Sequence, residues 1–222
     1  MPMLEIAVTS LEDAVRAEEG GADSIEVLRD LPVGGITPAI DLVAAIRAKV
    51  KLRVNVLVRP HARNFYLSLG EVLEVAKSIK EAVALGVNGI VCGGQNRRGG
   101  IDVPMMRDFV AMSGAVPVTL HRAIDLSMEP KKSLKKLPEA GVRRVLTAGP
   151  GRTAWEGRGG LGEWVERFGS ELSFVVSGGL TLEQLPAILK ETKAQEYHFG
   201  SAARTGDAVD AAKVRELRRA LG

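Results

Sequence analysis

The sequence predicts an α/β fold, a single-domain (β/α)8 TIM barrel that spans residues 1–222. Three observations indicate it: eight short apolar runs rich in β-branched residues, an amphipathic stretch after each run, and a weak internal repeat. Eight strand-and-helix units in 222 residues leave about 28 residues for each unit, which suits a compact barrel.

The predicted strands recur at regular intervals, at 4–8, 24–28, 52–59, 89–93, 117–121, 144–148, 172–177 and 196–200. Helices between them are indicated by apolar residues at helical spacing, as in LEVAKSIKEAVALG, and by capping pairs such as Ser68 with Glu71. The repeat consists of GADSIEV, GVNGIVC and GVRRVLT, which precede the second, fourth and sixth strands. An open doubly wound sheet is the alternative, but no GxGxxG motif follows the first strand. No Pro- or Ser-rich linker divides the chain into two domains.

Composition narrows the classes of partner. Aromatic residues are 4% of the chain and the net charge is only +3, so we expect no nucleic-acid partner. No apolar stretch approaches about 18 residues and the start resembles no signal peptide, so we expect no membrane association and a cytoplasmic location. The single cysteine excludes an intrachain disulfide. The sequence leaves open whether the chain forms a homo-oligomer.

Alternation along the strands predicts which side chains point into the barrel. Neighbouring residues of a strand face opposite sides, so apolar residues that face the helices leave Glu5, Glu26, Arg59, His121 and His198 in the lumen. Such a lumen is far more polar than a purely structural barrel requires. Glu5 lies near the start of its strand, where we expect a structural ion pair.

The carboxyl ends of the strands are where barrel enzymes place their chemistry, which makes Glu26, Arg59 and His121 the candidate catalytic residues. Arg59 is suited to hold an anion and His121 to act as acid or base, while Glu26 either shares a proton or pairs with Arg59. His198 is a candidate ligand-binding residue, with a hydrogen-bonded filler as the alternative.

The rim of the predicted barrel carries further candidate ligand-binding residues. Arg122 and Asp125 follow the fifth strand in PVTLHRAID, where Arg122 either caps the rim or binds Asp125. Two loops after the seventh and eighth strands are typical of a phosphate site built from backbone N–H groups. Their candidate residues are Ser177, Gly178, Gly179, Gly200 and Ser201.

The only cysteine, Cys92, ends the fourth strand and is a candidate soft-metal ligand or nucleophile. Its apolar flanks favour a small core residue instead. No partner lies at ligand spacing along the sequence.

Several segments resemble the copper homeostasis protein CutC family. They are LEIAVTSLEDAVRAEEGGAD, GGITP, RP at 59–60, PVTLHRAID and RVLTAG, collinear from about the first strand to the eighth helix. The resemblance implies a compact TIM barrel, a cytoplasmic location, a link to copper handling and, less directly, Cu(I) binding by cysteines. Copper is implied by this resemblance alone.

The sequence departs from the family pattern at positions that matter for copper. Ala7, Val8 and Leu28 stand where the family often has cysteines, and Arg63 and Asn64 replace a glycine and an aspartate in RPHARNF. Thiolates select Cu(I), so this ligand set does not carry over.

Two hypotheses therefore stand. One is an enzyme or binding protein for a small anionic ligand at the carboxyl-end mouth of the barrel, a class that includes phosphorylated molecules. The other is a Cu(I) protein that uses Cys92, His121, His198 and either Met105 or Met106. A divalent metal bound by Glu26, His121 and His198 is a further alternative.

Overall fold

Eight parallel strands alternate with eight helices in the computed structural model, which describes residues 1–222. The barrel strands are β1 Met3–Val8, β2 Ser24–Val27, β3 Arg53–Leu57, β4 Gly89–Cys92, β5 Val118–Leu120, β6 Arg144–Thr147, β7 Ser173–Val176 and β8 Glu196–Phe199. The helices are α1 Leu11–Glu19, α2 Ile40–Lys49, α3 Leu69–Ala84, α4 Val103–Ser113, α5 Pro130–Lys136, α6 Ala154–Phe168, α7 Leu185–Thr192 and α8 Ala211–Leu221.

The strands close into a barrel in sequence order. Closure depends on β1, which pairs in parallel with both β2 and β8, so that Ile6 lies opposite Ile25 on one side and Phe199 on the other. The predicted (β/α)8 TIM barrel is confirmed, and the open doubly wound sheet is excluded.

Capping interactions place the helices where the sequence predicts them. At the start of α3, the Ser68 hydroxyl accepts a hydrogen bond from the Glu71 backbone amide, and the Glu71 carboxylate accepts one from the Ser68 amide. This reciprocal pair satisfies two amide donors that a helix start would otherwise leave unpaired.

Apolar side chains form two separate layers. The larger layer lies between strands and helices and contains Trp164, Tyr197 and Phe109, all essentially without exposure. The smaller one is a separate cluster of Ala7, Leu28, Leu57 and Val91. Lumen residues outside this small cluster are mostly polar.

A network of charged side chains fills the lumen at the amino-terminal ends of the strands. Arg144 Nη2 donates to Glu5 Oε2 at 2.9 Å, and Arg144 Nε donates to Glu196 Oε2 at 2.7 Å. Asn55 Nδ2 and the Ser24 hydroxyl also donate to Glu5 Oε2, at 2.5 and 3.1 Å. Glu5 is therefore the structural ion-pair partner that the sequence predicts, and its pKa lies well below its usual range. Burial would raise that pKa, but Arg144 and the hydrogen bonds outweigh it.

A short antiparallel hairpin between β8 and α8 covers part of the carboxyl end of the barrel. Its strands are β9 Arg204–Thr205 and β10 Ala208–Val209. Arg204 anchors it, because Nη2 donates to Asp13 Oδ2 at 3.0 Å and to the Ala7 carbonyl at 2.9 Å.

No helix of the structure combines the length and the apolar character that crossing a membrane requires.

Candidate functional site

A cavity of about 840 Å³ opens at the carboxyl ends of the strands. Its size suits a small molecule. Almost all residues that the sequence predicts for the site line it: Glu26, Arg59, His121, Arg122, Ser177, Gly178, Gly179, His198, Gly200 and Ser201. Asp125 and Cys92 do not.

Five buried polar atoms that belong to lining residues have no hydrogen-bond partner in the protein. They are Glu26 Oε1, Arg59 Nε, His121 Nε2, Ser177 Oγ and Arg204 Nε. An unpaired buried polar atom costs about 1–3 kcal/mol, and more if it carries charge. Five such atoms on residues that line one cavity indicate a site built to bind a polar ligand.

Arg59 is held rigidly but has no counter-ion. Its Nη1 donates to the Gly35 carbonyl at 3.0 Å, its Nη2 donates to the Ala62 carbonyl at 3.3 Å, and the guanidinium lies 4.7 Å from the centre of the Phe65 ring. The other two arginines that shape the lumen, Arg144 and Arg204, each pair with a carboxylate. Burial lowers the pKa of Arg59 but leaves it a cation, so this side chain offers an anion an uncompensated positive charge.

His121 follows β5 and is only 4% exposed. Burial, with a further contribution from Arg59, lowers the pKa of its imidazole to about 3, so the ring is neutral near pH 7. Its Nδ1 accepts a hydrogen bond from the Ala123 backbone amide at 3.3 Å. The proton of the neutral ring is therefore on Nε2, by inference from that hydrogen bond.

Glu26 and His198 form a pair deeper in the cavity. His198 Nε2 lies 3.5 Å from Glu26 Oε2, and His198 Nδ1 lies 3.1 Å from Glu5 Oε1. Burial raises the pKa of Glu26 to about 7, aided by Glu5 and opposed by His198 and Arg144. Burial alone would lower the pKa of His198, but the Glu26 and Glu5 carboxylates outweigh it and raise the value. The partner of Glu26 is thus His198 and not Arg59.

Arg122 and Asp125 form an ion pair at the rim, with 2.7 Å between Arg122 Nε and Asp125 Oδ2. Asp125 Oδ1 also accepts hydrogen bonds from the Thr147 hydroxyl and the Ala148 amide, which ties it to the end of β6. Asp125 therefore lies behind Arg122 and orients its guanidinium toward Gly178.

The two predicted anion-binding loops face the same cavity. Gly178 and Gly179 have φ angles of +98° and +70°, a backbone conformation that favours glycine. A Cβ at position 178 would also lie 3.0 Å from the Arg122 guanidinium. The backbone N–H groups of Gly178, Gly179 and Gly200 donate no hydrogen bond within the protein. They are available to an anion.

Cys92 lies apart from the cavity. It is fully buried in the layer between strands and helices, and burial raises the pKa of its thiol. Met106 is also fully buried in that layer. No three His, Cys, Asp or Glu side chains lie together in an arrangement that could hold a metal ion. The donors present therefore do not fit a copper centre, nor a divalent metal on Glu26, His121 and His198.

Sequence reasoning missed two arginines that shape the lumen. Arg144 holds Glu5 and Glu196, and Arg204 lines the cavity from the hairpin. Arg144 could have been noticed in the sequence, because it is an arginine at the first position of a strand that is otherwise mostly apolar. Nothing local indicated Arg204, because its partner Asp13 is 191 positions away.

Comparison with known proteins gives one consistent result. The family model described as CutC family matches residues 2–203. Relatives named as family protein CutC include one from Xanthomonas campestris pv. campestris (strain B100), 33% identical over 195 residues (88% of this chain and 81% of the relative). Another, from Bacteroides fragilis, is 34% identical over 200 residues, 90% of this chain and 80% of the relative.

A solved structure agrees with these relatives. It is provisionally described as the copper homeostasis protein CutC from Streptococcus agalactiae, and it superposes with a TM-score of 0.84 at 25% identity. The superposition covers 90% of this chain and 99% of that one. The family match over nearly the whole chain confirms the resemblance seen in the sequence: the chain belongs to the CutC family.

Proposed function

We propose that the protein binds a small phosphate-bearing molecule at the carboxyl-end mouth of the barrel and carries out acid–base chemistry on it. The observation that carries this proposal is the set of unpartnered buried atoms at the cavity, four of which belong to Glu26, Arg59, His121 and Ser177. All four residues line one cavity, and each atom would gain a partner from a bound ligand.

The charge of the ligand follows from Arg59 and from the two glycine loops. A buried guanidinium without a carboxylate partner favours an anion, which would supply the missing counter-ion. Free N–H groups at Gly178, Gly179 and Gly200, together with the Ser177 and Ser201 hydroxyls, suit the several acceptor oxygens of a phosphate.

The acid–base part of the proposal depends on Glu26 and His121. Glu26 has a pKa of about 7, so both of its protonation states are populated near neutral pH. His121 presents a neutral ring nitrogen to the same cavity.

A role in copper handling is suggested by the family resemblance and by the name of the Streptococcus agalactiae structure. The side chains do not support it, since the one thiol is buried in the core and no three His, Cys, Asp or Glu side chains are grouped so that they could hold a metal ion. Titration of Cu(I) against a strong chelator tests it. We expect no sub-micromolar retention; retention that disappears in Cys92→Ser would establish the Cu(I) hypothesis in place of ours.

A cytoplasmic location also belongs to the proposal. One buried free cysteine and no disulfide are compatible with a reducing compartment. Localisation of a tagged chain by fractionation tests this directly.

The binding proposal is tested by calorimetric titration of the protein with ribulose 5-phosphate. In Gly179→Ala, the new Cβ and the positive φ disturb the amides of the proposed phosphate site, and we expect affinity to fall ~10-fold or more. Gly86→Ala is the matched control, because Gly86 has the same φ of +70° in open space after α3. Equal affinities for the two variants, or no binding by the parent protein, would contradict the proposal.

A further inference from the structure

His121 is fixed as a hydrogen-bond donor toward the cavity. Its Nδ1 is occupied as an acceptor by the Ala123 amide, which leaves the proton on Nε2, and Nε2 has no partner. The Phe65 ring, with its centre 4.9 Å from the imidazole centre, packs against the imidazole. A neutral imidazole N–H is well suited to donate to a carbonyl oxygen and to the oxyanion that forms when the carbonyl is enolised.

Glu26 has complementary geometry for a base. Oε2 faces His198 Nε2, while Oε1 has no partner. His198 is itself held from its other side by Glu5. The Glu26 carboxylate is thus held through one oxygen and keeps the other unpaired within the protein, as a base that abstracts a proton requires.

Arg59 completes the arrangement. It approaches the same Phe65 ring as His121 does, and its buried charge has no carboxylate to neutralise it. A cation beside a developing oxyanion lowers the energy of that charge in a site shielded from water.

We propose that this site enolises a phosphorylated carbonyl compound: Glu26 removes a proton from the carbon next to the carbonyl, and the His121 Nε2–H binds the carbonyl oxygen. The inference rests on the proposed function, because the phosphate must occupy the loops at Gly178 and Gly200 for the carbonyl carbon to be held. The substrate class is a small ketose or keto-acid phosphate.

The step is balanced without any further reactant. The C–H bond breaks and its proton passes to Glu26 Oε1, while its electron pair forms the carbon–carbon double bond of the enolate. The π pair of the carbonyl moves to oxygen, where the His121 N–H stabilises it. Return of the proton from Glu26 restores the carbonyl compound, and exchange of that proton with solvent leaves a measurable label.

The test is deuterium incorporation, followed by proton NMR in D2O near pD 7.5. Three probes are used: dihydroxyacetone phosphate, ribulose 5-phosphate and fructose 6-phosphate, each with its binding measured in parallel. We expect exchange next to the carbonyl of at least one probe, slowed ~100-fold or more in Glu26→Gln and in His121→Gln. Exposed Glu74→Gln is the control and should exchange at the parent rate.

Two outcomes overturn the inference and differ from failure of the binding proposal. Binding of the probes without exchange of any of them refutes enolisation and leaves phosphate binding intact, whereas absence of binding refutes the proposed function as well. Exchange that persists unchanged in Glu26→Gln also refutes the inference, since it would come from another base or a contaminant. If Glu26→Gln fails to fold, Glu26→Asp is used instead, because its side chain is one methylene shorter and its carboxylate lies farther from the ligand. Glu26→Asp must then show the slower deuterium exchange.

Discussion

Replacement of Glu26 by glutamine should change how the stability of the protein depends on pH. Glu26 has its pKa raised from 4.5 to about 7 in the folded state, chiefly by burial. The folded protein therefore holds a proton that the unfolded chain releases, and its stability falls as pH rises between these two values. Glutamine cannot titrate, so the free energy of unfolding of Glu26→Gln should lack this decrease with pH.

The size of the effect follows from the shift. One pKa unit corresponds to about 1.36 kcal/mol, so the rise from 4.5 to about 7 corresponds to about 3 kcal/mol of unfolding free energy. The charged groups that face Glu26 are His198, Glu5 and Arg144. His198, whose pKa is also raised, adds to the fall as pH rises through its folded value. Glu5, whose pKa is lowered, affects stability only below its unfolded value near 4.5.

The assay is urea unfolding of the parent protein, Glu26→Gln and the exposed control Glu74→Gln at four pH values from 5 to 8. We expect Glu26→Gln to gain up to ~3 kcal/mol relative to the parent between pH 5 and pH 8, and Glu74→Gln to gain almost nothing. A difference between Glu26→Gln and the parent that stays constant across this range would refute the titration of Glu26 near neutrality.

Three further predictions concern residues that stabilise the barrel around the site. Arg144→Leu leaves the buried Glu5 and the half-buried Glu196 without their cation, and it should cost about 3–5 kcal/mol in urea unfolding at pH 7. A loss below 1 kcal/mol would contradict the structural role of this network. Gly157→Ala in α6 should cost about 1–3 kcal/mol, because its Cβ would overlap the Ala148 carbonyl oxygen. Gly159→Ala in the same helix, with open space around it, should not destabilise the protein. Alkylation of Cys92 by a thiol reagent in the folded state should proceed only as fast as the protein unfolds, because the thiol is fully buried and its pKa is raised; rapid labelling would contradict its place in the core.

The barrel was predictable from the sequence because its signals are local. Each strand is a short apolar run followed by an amphipathic stretch, and all eight strands fall where these runs predict. Boundaries shifted by a few residues, as in β3, which ends at Leu57 although the predicted strand continues to Arg59. The hairpin β9–β10 was not predicted, since two-residue strands carry no periodicity.

The sequence predicted which residues line the site but not which of them contact one another. Alternation placed Glu26, Arg59, His121 and His198 in the lumen, and all four line the cavity. Which of them touch depends on barrel closure: His198 meets Glu5 and Glu26 because β8 pairs with β1, a contact across 193 residues of sequence for Glu5. The tautomer of His121 and the missing counter-ion of Arg59 also follow only from the packed structure.

A crystal structure of the protein soaked in millimolar inorganic phosphate tests most directly whether the barrel mouth is an anion site. We expect a phosphate bound by the amides of Gly178, Gly179 and Gly200, with its affinity in solution reduced in Gly179→Ala and not in Gly86→Ala. A mouth without phosphate at that concentration, or a phosphate whose affinity is the same in both variants, would contradict it.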